Sequence, residues 1–325
     1  IFNTHCVECH TGGQFASGGL ELINYEKLME GGDSGNVVIE YDSQNSLLWI
    51  RIENGDMPMQ ASSLEENQIT LIADWIDEGA RVCDNGFIYH PEVADGLETE
   101  YTNVTIQDIE YNPCFYESDV QALQDIITVN DFEYTDNPFK LGTQTWKEGR
   151  LRFLVAGYYN SGVEEPIHTL PESIGNLDDL RQLYLEWNHI ETLPDSFTNL
   201  TALVQLFISN NRLSSLPEDI GDLQSLYLLD LGYNELTSLP DSIVNLPLLT
   251  YLWLFSNQLT TLPANFCDLN LNWSDNDPGE YPYFAIGDNQ LCDNVPECVA
   301  NSDKFNTALE QYYYSTQITV FHCCC

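Results

Sequence analysis

A 23-residue period sets what most of this chain can fold into. Leu170-Pro171-Glu172-Ser173-Ile174 returns as Leu193-Pro194-Asp195-Ser196-Phe197 and as Leu216-Pro217-Glu218-Asp219-Ile220. It returns again as Leu239-Pro240-Asp241-Ser242-Ile243 and as Leu262-Pro263-Ala264-Asn265-Phe266. Between copies runs L-x-x-L-x-L-x-x-N-x-L. It reads Leu180, Leu183, Leu185, Asn188 and Ile190, then Leu203, Leu206, Ile208, Asn211 and Leu213. Two further turns follow, with Leu226, Leu229, Leu231, Asn234 and Leu236, and with Leu249, Leu252, Leu254, Asn257 and Leu259. No single copy can bury its own leucines, so such units are stable only when stacked and capped.

The spacing is that of the leucine-rich repeat, and the LPESIGNL form resembles bacterial extracellular proteins of that class. It predicts an α/β solenoid over residues 151–300. One short strand per turn builds a parallel sheet on the concave face, and the asparagines form a ladder where the strands end. An irregular first turn uses Leu151 and Leu154, and a last turn uses Phe284, Ile286, Asn289 and Leu291. Cys267, Cys292 and Cys298 cluster at that end and predict a disulfide-stapled cap. Tyr184, Glu186, Trp187, Phe207, Asp230, Tyr233, Tyr251, Trp253 and Phe255 fall on non-core positions of the strand segments. A row of exposed aromatics on the concave face marks a contact patch for a partner. The bland reading is lateral packing of these rings on one another, or on the chain's own amino-terminal domain.

The second strong signal lies at the opposite end. Cys6-Val7-Glu8-Cys9-His10 is C-x-x-C-H, the attachment pattern of a c-type haem. Two thiols at this spacing can each add to one vinyl group, and the histidine then lies under the iron. A zinc site wants a second ligand pair nearby, and a redox dithiol wants a βαβ setting. Residues 11–82 offer neither.

The motif is followed by Gly18-Gly19-Leu20-Glu21-Leu22, Tyr25 to Gly32, Ser46-Leu47-Leu48-Trp49, Gly55-Asp56-Met57-Pro58-Met59 and Ile72 to Ala80. This series over residues 1–82 resembles the small cytochrome c domains of planctomycete-type and related bacterial secreted proteins. The resemblance implies an all-α monohaem domain with one covalent haem c. Cys6 and Cys9 would hold the porphyrin, with His10 as proximal and Met57 as distal iron ligand. Met59 is a competing thioether. A histidine could also take the distal position, from His5, His90, His168, His189 or His322. The closing helix also stands on its own residues. Ser63 and Glu66 read as a capping box, Ile69, Ile72 and Ile76 give one apolar face, and Gly79 is the stop.

Residues 83–117 read as a linker. A Cys83–Cys114 bridge across it would be worth about 3 kcal/mol in the chain-entropy view. Residues 118–150 read as the amino-terminal cap of the solenoid, opened by a Ser118/Gln121 capping box and striped with Val120, Leu123 and Ile127. Residues 301–325 form a tail ending in Cys323, Cys324 and Cys325, with Ile318 to Phe321 strand-like and able to add to a neighbour's sheet edge.

Charge narrows the function classes. Asp and Glu number 51 against 10 Lys and Arg, a net charge of −41. Such a surface repels nucleic acid and anionic membranes. No apolar run reaches the roughly 18 to 20 residues a membrane helix needs. The chain begins at Ile1 without a methionine and reads as a processed or partly ordered form. Scattered cysteines and haem attachment both point outside the cytoplasm, to the cell exterior or surface, or the periplasm. The expectation is an electron carrier rather than a catalyst. Its repeats would contact a redox partner protein or the extracellular matrix. Two competing expectations are a homo-oligomeric haem filament, and an adhesion protein with an accessory haem domain.

Overall fold

A computed structural model describes residues 2–6, 9–10, 17–22, 25–58, 64–77, 79–80, 83, 86–90, 93, 103–107, 114–133, 137–159, 162–292, 295–311 and 316–321. The chain divides into two compact units, Ile1–Asn85 and Gly86–Cys325.

The regular elements described in the first unit are helical: α1 (Phe2–His5), α2 (Tyr25–Glu30), α3 (Leu47–Glu53) and α4 (Glu66–Asp77). The α4 stripe behaves as its period requires. Ile72 and Ile76 are buried, and Ile69 packs beside them against Leu22, Leu28, Val37, Val38, Leu48 and Ile52. Each such aliphatic side chain contributes about 1.5–3 kcal/mol on burial. Phe2 of α1 meets Trp75 of α4 edge to face at 6.0 Å. Gly79 stops α4 with φ 98°, and the Ala80 amide reaches back to the Trp75 carbonyl at 2.8 Å. Ser63 lies outside the described residues; the Glu65 amide is met at 3.0 Å by Gln68 Oε1.

The second unit opens with β1 (Phe87–Tyr89), β2 (Val104–Ile106), β3 (Cys114–Tyr116) and helix α5 (Glu117–Val129). The stretch read as a linker therefore contains three short strands. β1 and β3 pair antiparallel. β2 joins the main sheet as its edge, parallel to β4 (Thr143–Lys147). α5 starts one residue before Ser118, with Tyr116 at the cap position and no side-chain cap. The Ser118/Gln121 box is thus corrected: the Glu117 amide is satisfied by the Gly86 carbonyl at 2.9 Å, and Gln121 turns to Asp125 instead. Val120, Leu123 and Ile127 are buried as their spacing predicts, in one core with Phe139, Trp146 and the first repeat leucines.

β5 (Arg150–Val155) turns back antiparallel on β4 and starts the parallel run. It is followed by β6 (Gln182–Tyr184), β7 (Gln205–Phe207), β8 (Leu228–Asp230), β9 (Tyr251–Trp253) and β10 (Phe284–Ala285). The sheet has eight strands in the order β10-β9-β8-β7-β6-β5-β4-β2. Leu183, Leu206, Leu229 and Leu252 stand in register and are fully buried.

The proline of each Leu-Pro copy opens a tight turn. The amides of Ile174, Phe197, Ile220, Ile243 and Phe266 donate to the carbonyls of Pro171, Pro194, Pro217, Pro240 and Pro263 at 3.0–3.1 Å. Past each strand the chain bends through one left-handed residue just before the ladder asparagine. These are Trp187, Asn210, Tyr233, Ser256 and Asp288, with φ between 52 and 63°. Each asparagine then bridges neighbouring coils. Asn211 accepts from the Ile190 amide at 3.0 Å and donates to the Leu185 carbonyl at 2.8 Å. Asn234, Asn257 and Asn289 repeat the pattern.

The far end is closed by helix α6 (Glu297–Ala300) and a Cys267–Cys298 disulfide. The tail then forms a hairpin of β11 (Thr307–Leu309) and β12 (Gln317–Thr319). β12 pairs with this chain's own β11, which corrects the expectation of a strand left open for a neighbour.

Candidate haem site and concave face

The motif residues are gathered on one turn. The amides of Cys9 and His10 both donate to the Cys6 carbonyl at 3.2 Å, and the Cys6 amide donates to Phe2 at 2.9 Å. Cys6 is half-buried against the unit's core, Cys9 is exposed, and neither forms a disulfide. Burial pushes the Cys6 thiol up, so it is held protonated.

His10 is buried, at 7% exposure. Its Nδ1 lies 3.0 Å from the Leu20 carbonyl. A carbonyl only accepts, so Nδ1 is the donor, and in the neutral ring Nε2 is the nitrogen that carries the lone pair. The Leu22 amide donates to the His10 carbonyl at 2.9 Å, closing the loop on the same residue. Gly18 and Gly19, with φ 66° and 70°, make the bend that presents Leu20. Gly32 seats this bend from behind: a methyl group on it would lie 2.6 Å from the Gly18 carbonyl oxygen.

Met57 is half-buried against the same core as Cys6, and its amide donates to the Arg51 carbonyl at 3.0 Å. Arg51 pairs with Asp56 at 2.9 Å on the surface beside it. Met59 lies outside the described residues, as do His322 and Cys323 to Cys325. Trp49, also packed on this core, has a buried indole N–H with no partner among the described residues.

On the concave face, Phe153, Tyr184 and Phe207 form a row. Phe153 and Tyr184 meet edge to face at 5.4 Å, and Tyr184 stacks on Phe207 at 4.6 Å. Glu186 follows Tyr184 at the strand end and accepts a hydrogen bond from the Tyr159 hydroxyl at 3.2 Å. Burial, aided by the negative charge of Asp230, pushes the Glu186 carboxyl up to about 8.

Residues 6–59 match the planctomycete cytochrome C family. Residues 179–200 and 206–259 match leucine-rich repeat families. The chain joins a planctomycete-type cytochrome c domain to leucine-rich repeats.

Among solved structures it is similar to an internalin from Listeria monocytogenes, at 25% identity over 41% of this chain and 35% of that one, TM-score 0.33. A leucine-rich-repeat protein of Leptospira interrogans gives 23% identity over 49% and 52%, TM-score 0.32. The leucine-rich-repeat ectodomain of a plant membrane receptor kinase from Arabidopsis thaliana gives 27% over 49% and 20%, TM-score 0.34. The matched part thus spans about half or less of each of those chains. No curated protein sequence matches.

The cytochrome domain brings Cys6, Cys9 and His10 onto one turn, with Met57 on the shared core. The sequence reading missed the Leu20 carbonyl as the partner of His10. A backbone acceptor leaves no side-chain signal, although the Gly18-Gly19 bend beside it does. The remaining histidines have different surroundings. His90 packs on Phe115 and Phe139, and His168 packs on His189 at 5.0 Å.

The leucine-rich repeats correct the concave patch. Tyr251, Trp253 and Phe255 are buried together with Ala308 and Leu309 of the β11–β12 hairpin, and Asp230 is buried as well. The Tyr233 hydroxyl donates to the Leu309 carbonyl at 2.9 Å, and the Gly287 amide donates to the Thr307 carbonyl at 2.8 Å. Glu186, Trp187, Tyr233 and Phe255 lie past the strand ends rather than on strands. No described helix is long and apolar enough to cross a membrane.

Proposed function

We propose that the cytochrome domain holds one haem c, bound covalently through Cys6 and Cys9, and serves as an outer-sphere electron carrier rather than a catalyst. The observation that carries this is the 3.0 Å contact between His10 Nδ1 and the Leu20 carbonyl. It supports the neutral tautomer whose Nε2 could ligate a metal, and such a second partner orients a ligating histidine. Met57 would supply the opposite, thioether ligand, which favours a higher potential than a second histidine. The orphaned indole N–H of Trp49 is a further point of fit, since a haem carries carboxylates that can accept it. A haem held there supplies a one-electron iron couple. The chain's part would be to offer His10 and Met57 to the iron, bind the porphyrin through Cys6 and Cys9, and keep water from the buried face of His10.

The all-α character of this domain belongs to the same proposal and is supported by its four described helices. We read the protein as extracellular, cell-surface or periplasmic. The Cys267–Cys298 bridge and the disulfide-bonded state of Cys83 and Cys114 support an oxidising compartment. The repeats serve as a contact surface toward a redox partner or matrix, and the exposed Tyr158 and Tyr159 beside the Tyr184 row support this. The test is expression with a cytochrome c maturation system, followed by voltammetry of the purified protein. A reversible one-electron couple is expected. A protein that carries haem but shows no reversible couple would remove the electron-transfer reading.

A further inference from the structure

The tail hairpin divides the concave face into a sealed half and an open half. Over the sealed half Leu309 and Ala308 are buried with Leu228, Tyr251, Trp253 and Phe255. The boundary is drawn by Tyr233, which donates to the Leu309 carbonyl, and by Gln311, whose Nε2 donates to Asn210 Oδ1 at 3.0 Å. Beyond it Phe153, Tyr184 and Phe207 remain half-exposed, with Tyr159 39% exposed beside them.

This open half has a polar end. Glu186 takes its hydrogen bond from the neutral Tyr159 hydroxyl, and no Lys, Arg or His pairs with it among the described residues. Asp230 adds a negative charge near the Glu186 carboxyl from the next-but-one strand. The basic groups of this face, Arg152 and Arg181, lie at the opposite, amino-terminal strand end, where Arg152 is engaged by Asp179 at 2.7 Å. Past the carboxyl strand ends His189 and Arg212 lie near each other, and neither pairs with Glu186 among the described residues, in a chain that carries 51 acidic residues against 10 basic ones.

We propose that the open half of the concave face binds a lysine- or arginine-bearing segment of a partner protein. Glu186 is the counter-ion, and the Phe153–Tyr184–Phe207 row is the wall along which the aliphatic stem lies. Long basic side chains bury their methylenes on apolar surface while the head stays at a polar edge. Charge complementarity of this kind selects and steers a partner more than it adds raw affinity. The raised Glu186 carboxyl agrees with it, since a cation there relieves the unfavourable ionisation.

This inference rests on the reading of the repeats as a contact surface. The test is calorimetric titration of the full protein with trilysine amide and with its Nε-triacetylated form, at physiological salt. Trilysine amide is expected to bind, with the acetylated peptide about tenfold or more weaker. Glu186→Gln and Tyr184→Ala should each weaken trilysine binding about tenfold, while Glu218→Gln, an exposed carboxylate on the other side of the coil, should leave it unchanged. Circular dichroism of each variant confirms that it is folded. Equal losses in E186Q and E218Q would reduce the effect to general charge and overturn the site. A Tyr184-dependent site that takes both peptides equally would overturn the cationic assignment and leave the repeats a contact surface. If neither peptide binds, the inference falls and the contact reading loses this support.

Discussion

His10 Nδ1 lies 3.0 Å from the carbonyl oxygen of Leu20, and that carbonyl is held in place by two left-handed glycines, Gly18 and Gly19. The contact ties the motif turn to the loop that follows it, and it decides which ring nitrogen is free. Gly32→Val would push the bend away from its seat, where even a methyl group comes within 2.6 Å of the Gly18 oxygen. The expected outcome is retained covalent haem with a loosened axial histidine. Metal affinity or activity falls about 10–100-fold when such an orienting partner is lost. A shifted Soret band and a lowered resistance to imidazole displacement would measure it.

Asn211 is the second asparagine of the ladder and is almost fully buried, with one accepted and several donated backbone hydrogen bonds. Asn211→Ala leaves the Ile190 amide and the Leu185 carbonyl without this partner. The expected cost is about 2–4 kcal/mol, from buried groups left unsatisfied. Urea unfolding followed by far-ultraviolet circular dichroism checks it.

Asp119 and Arg150 fasten α5 to the first coil. Asp119 is fully buried, accepts from Arg150 Nε at 2.9 Å and Nη2 at 3.1 Å, and also accepts from the Leu151 amide at 2.9 Å. Arg150 in turn reaches Asp178 and lies over the Tyr116 ring at 4.2 Å. Removing one partner of a buried pair is costly, so Asp119→Ala should destabilise the second unit by about 3–5 kcal/mol. Hydrogen exchange should show α5 losing protection first.

Glu186 makes stability depend on pH. Its carboxyl titrates near 8 in the folded chain and near 4.3 when unfolded. A raised folded value means the native state binds the extra proton, so its contribution is fully present below about pH 4.3 and is lost as pH rises through about 8. Asp230, Tyr159 and Tyr184 are the groups that face it. Glu186→Gln should flatten this slope, gaining on the order of 2 kcal/mol on the native chain between about pH 5 and pH 9. Denaturant midpoints measured across that range decide it.

Gly287 is the floor on which the tail hairpin rests. A methyl group there would meet Val320 Cγ2 at 2.6 Å and the backbone of Asn306 and Thr307 at 2.8 and 2.9 Å. Gly287→Ala should therefore loosen the hairpin at a cost of about 1–3 kcal/mol, typical of overpacking. Faster amide exchange at Ala308 and Leu309, with increased dye binding to the uncovered Trp253 and Phe255, is the expected signature.

The repeat core was legible because a fixed spacing of leucine and asparagine carries its own geometry. Leu183, Leu206, Leu229 and Leu252 fall in register for that reason, and Asn188 to Asn289 form the ladder. The tail was not legible. Thr307 to Leu309 and Gln317 to Thr319 are too short to show alternation, and what fixes them is packing on Trp253 and Phe255, which are distant in sequence. The same packing buries half of the aromatic row that the sequence presents as exposed. At the haem motif, residue types gave Cys6, Cys9 and His10, but the Leu20 acceptor is a main-chain atom. The cap of α5 lies two residues before Ser118, at Tyr116, where the Gly86 carbonyl takes the Glu117 amide; a distant main-chain acceptor leaves no mark in the local sequence.

The most direct test of the account is whether haem is bound covalently at Cys6 and Cys9. Protein matured in a cytochrome c-competent host is extracted with acidified organic solvent, and the residue is read as its pyridine haemochrome beside an intact mass. One haem that stays with the protein, that shows the band of two saturated thioether links, and that becomes extractable in the Cys6→Ala, Cys9→Ala double variant is the predicted result. A colourless protein, or one whose haem leaves entirely with the solvent, would contradict it.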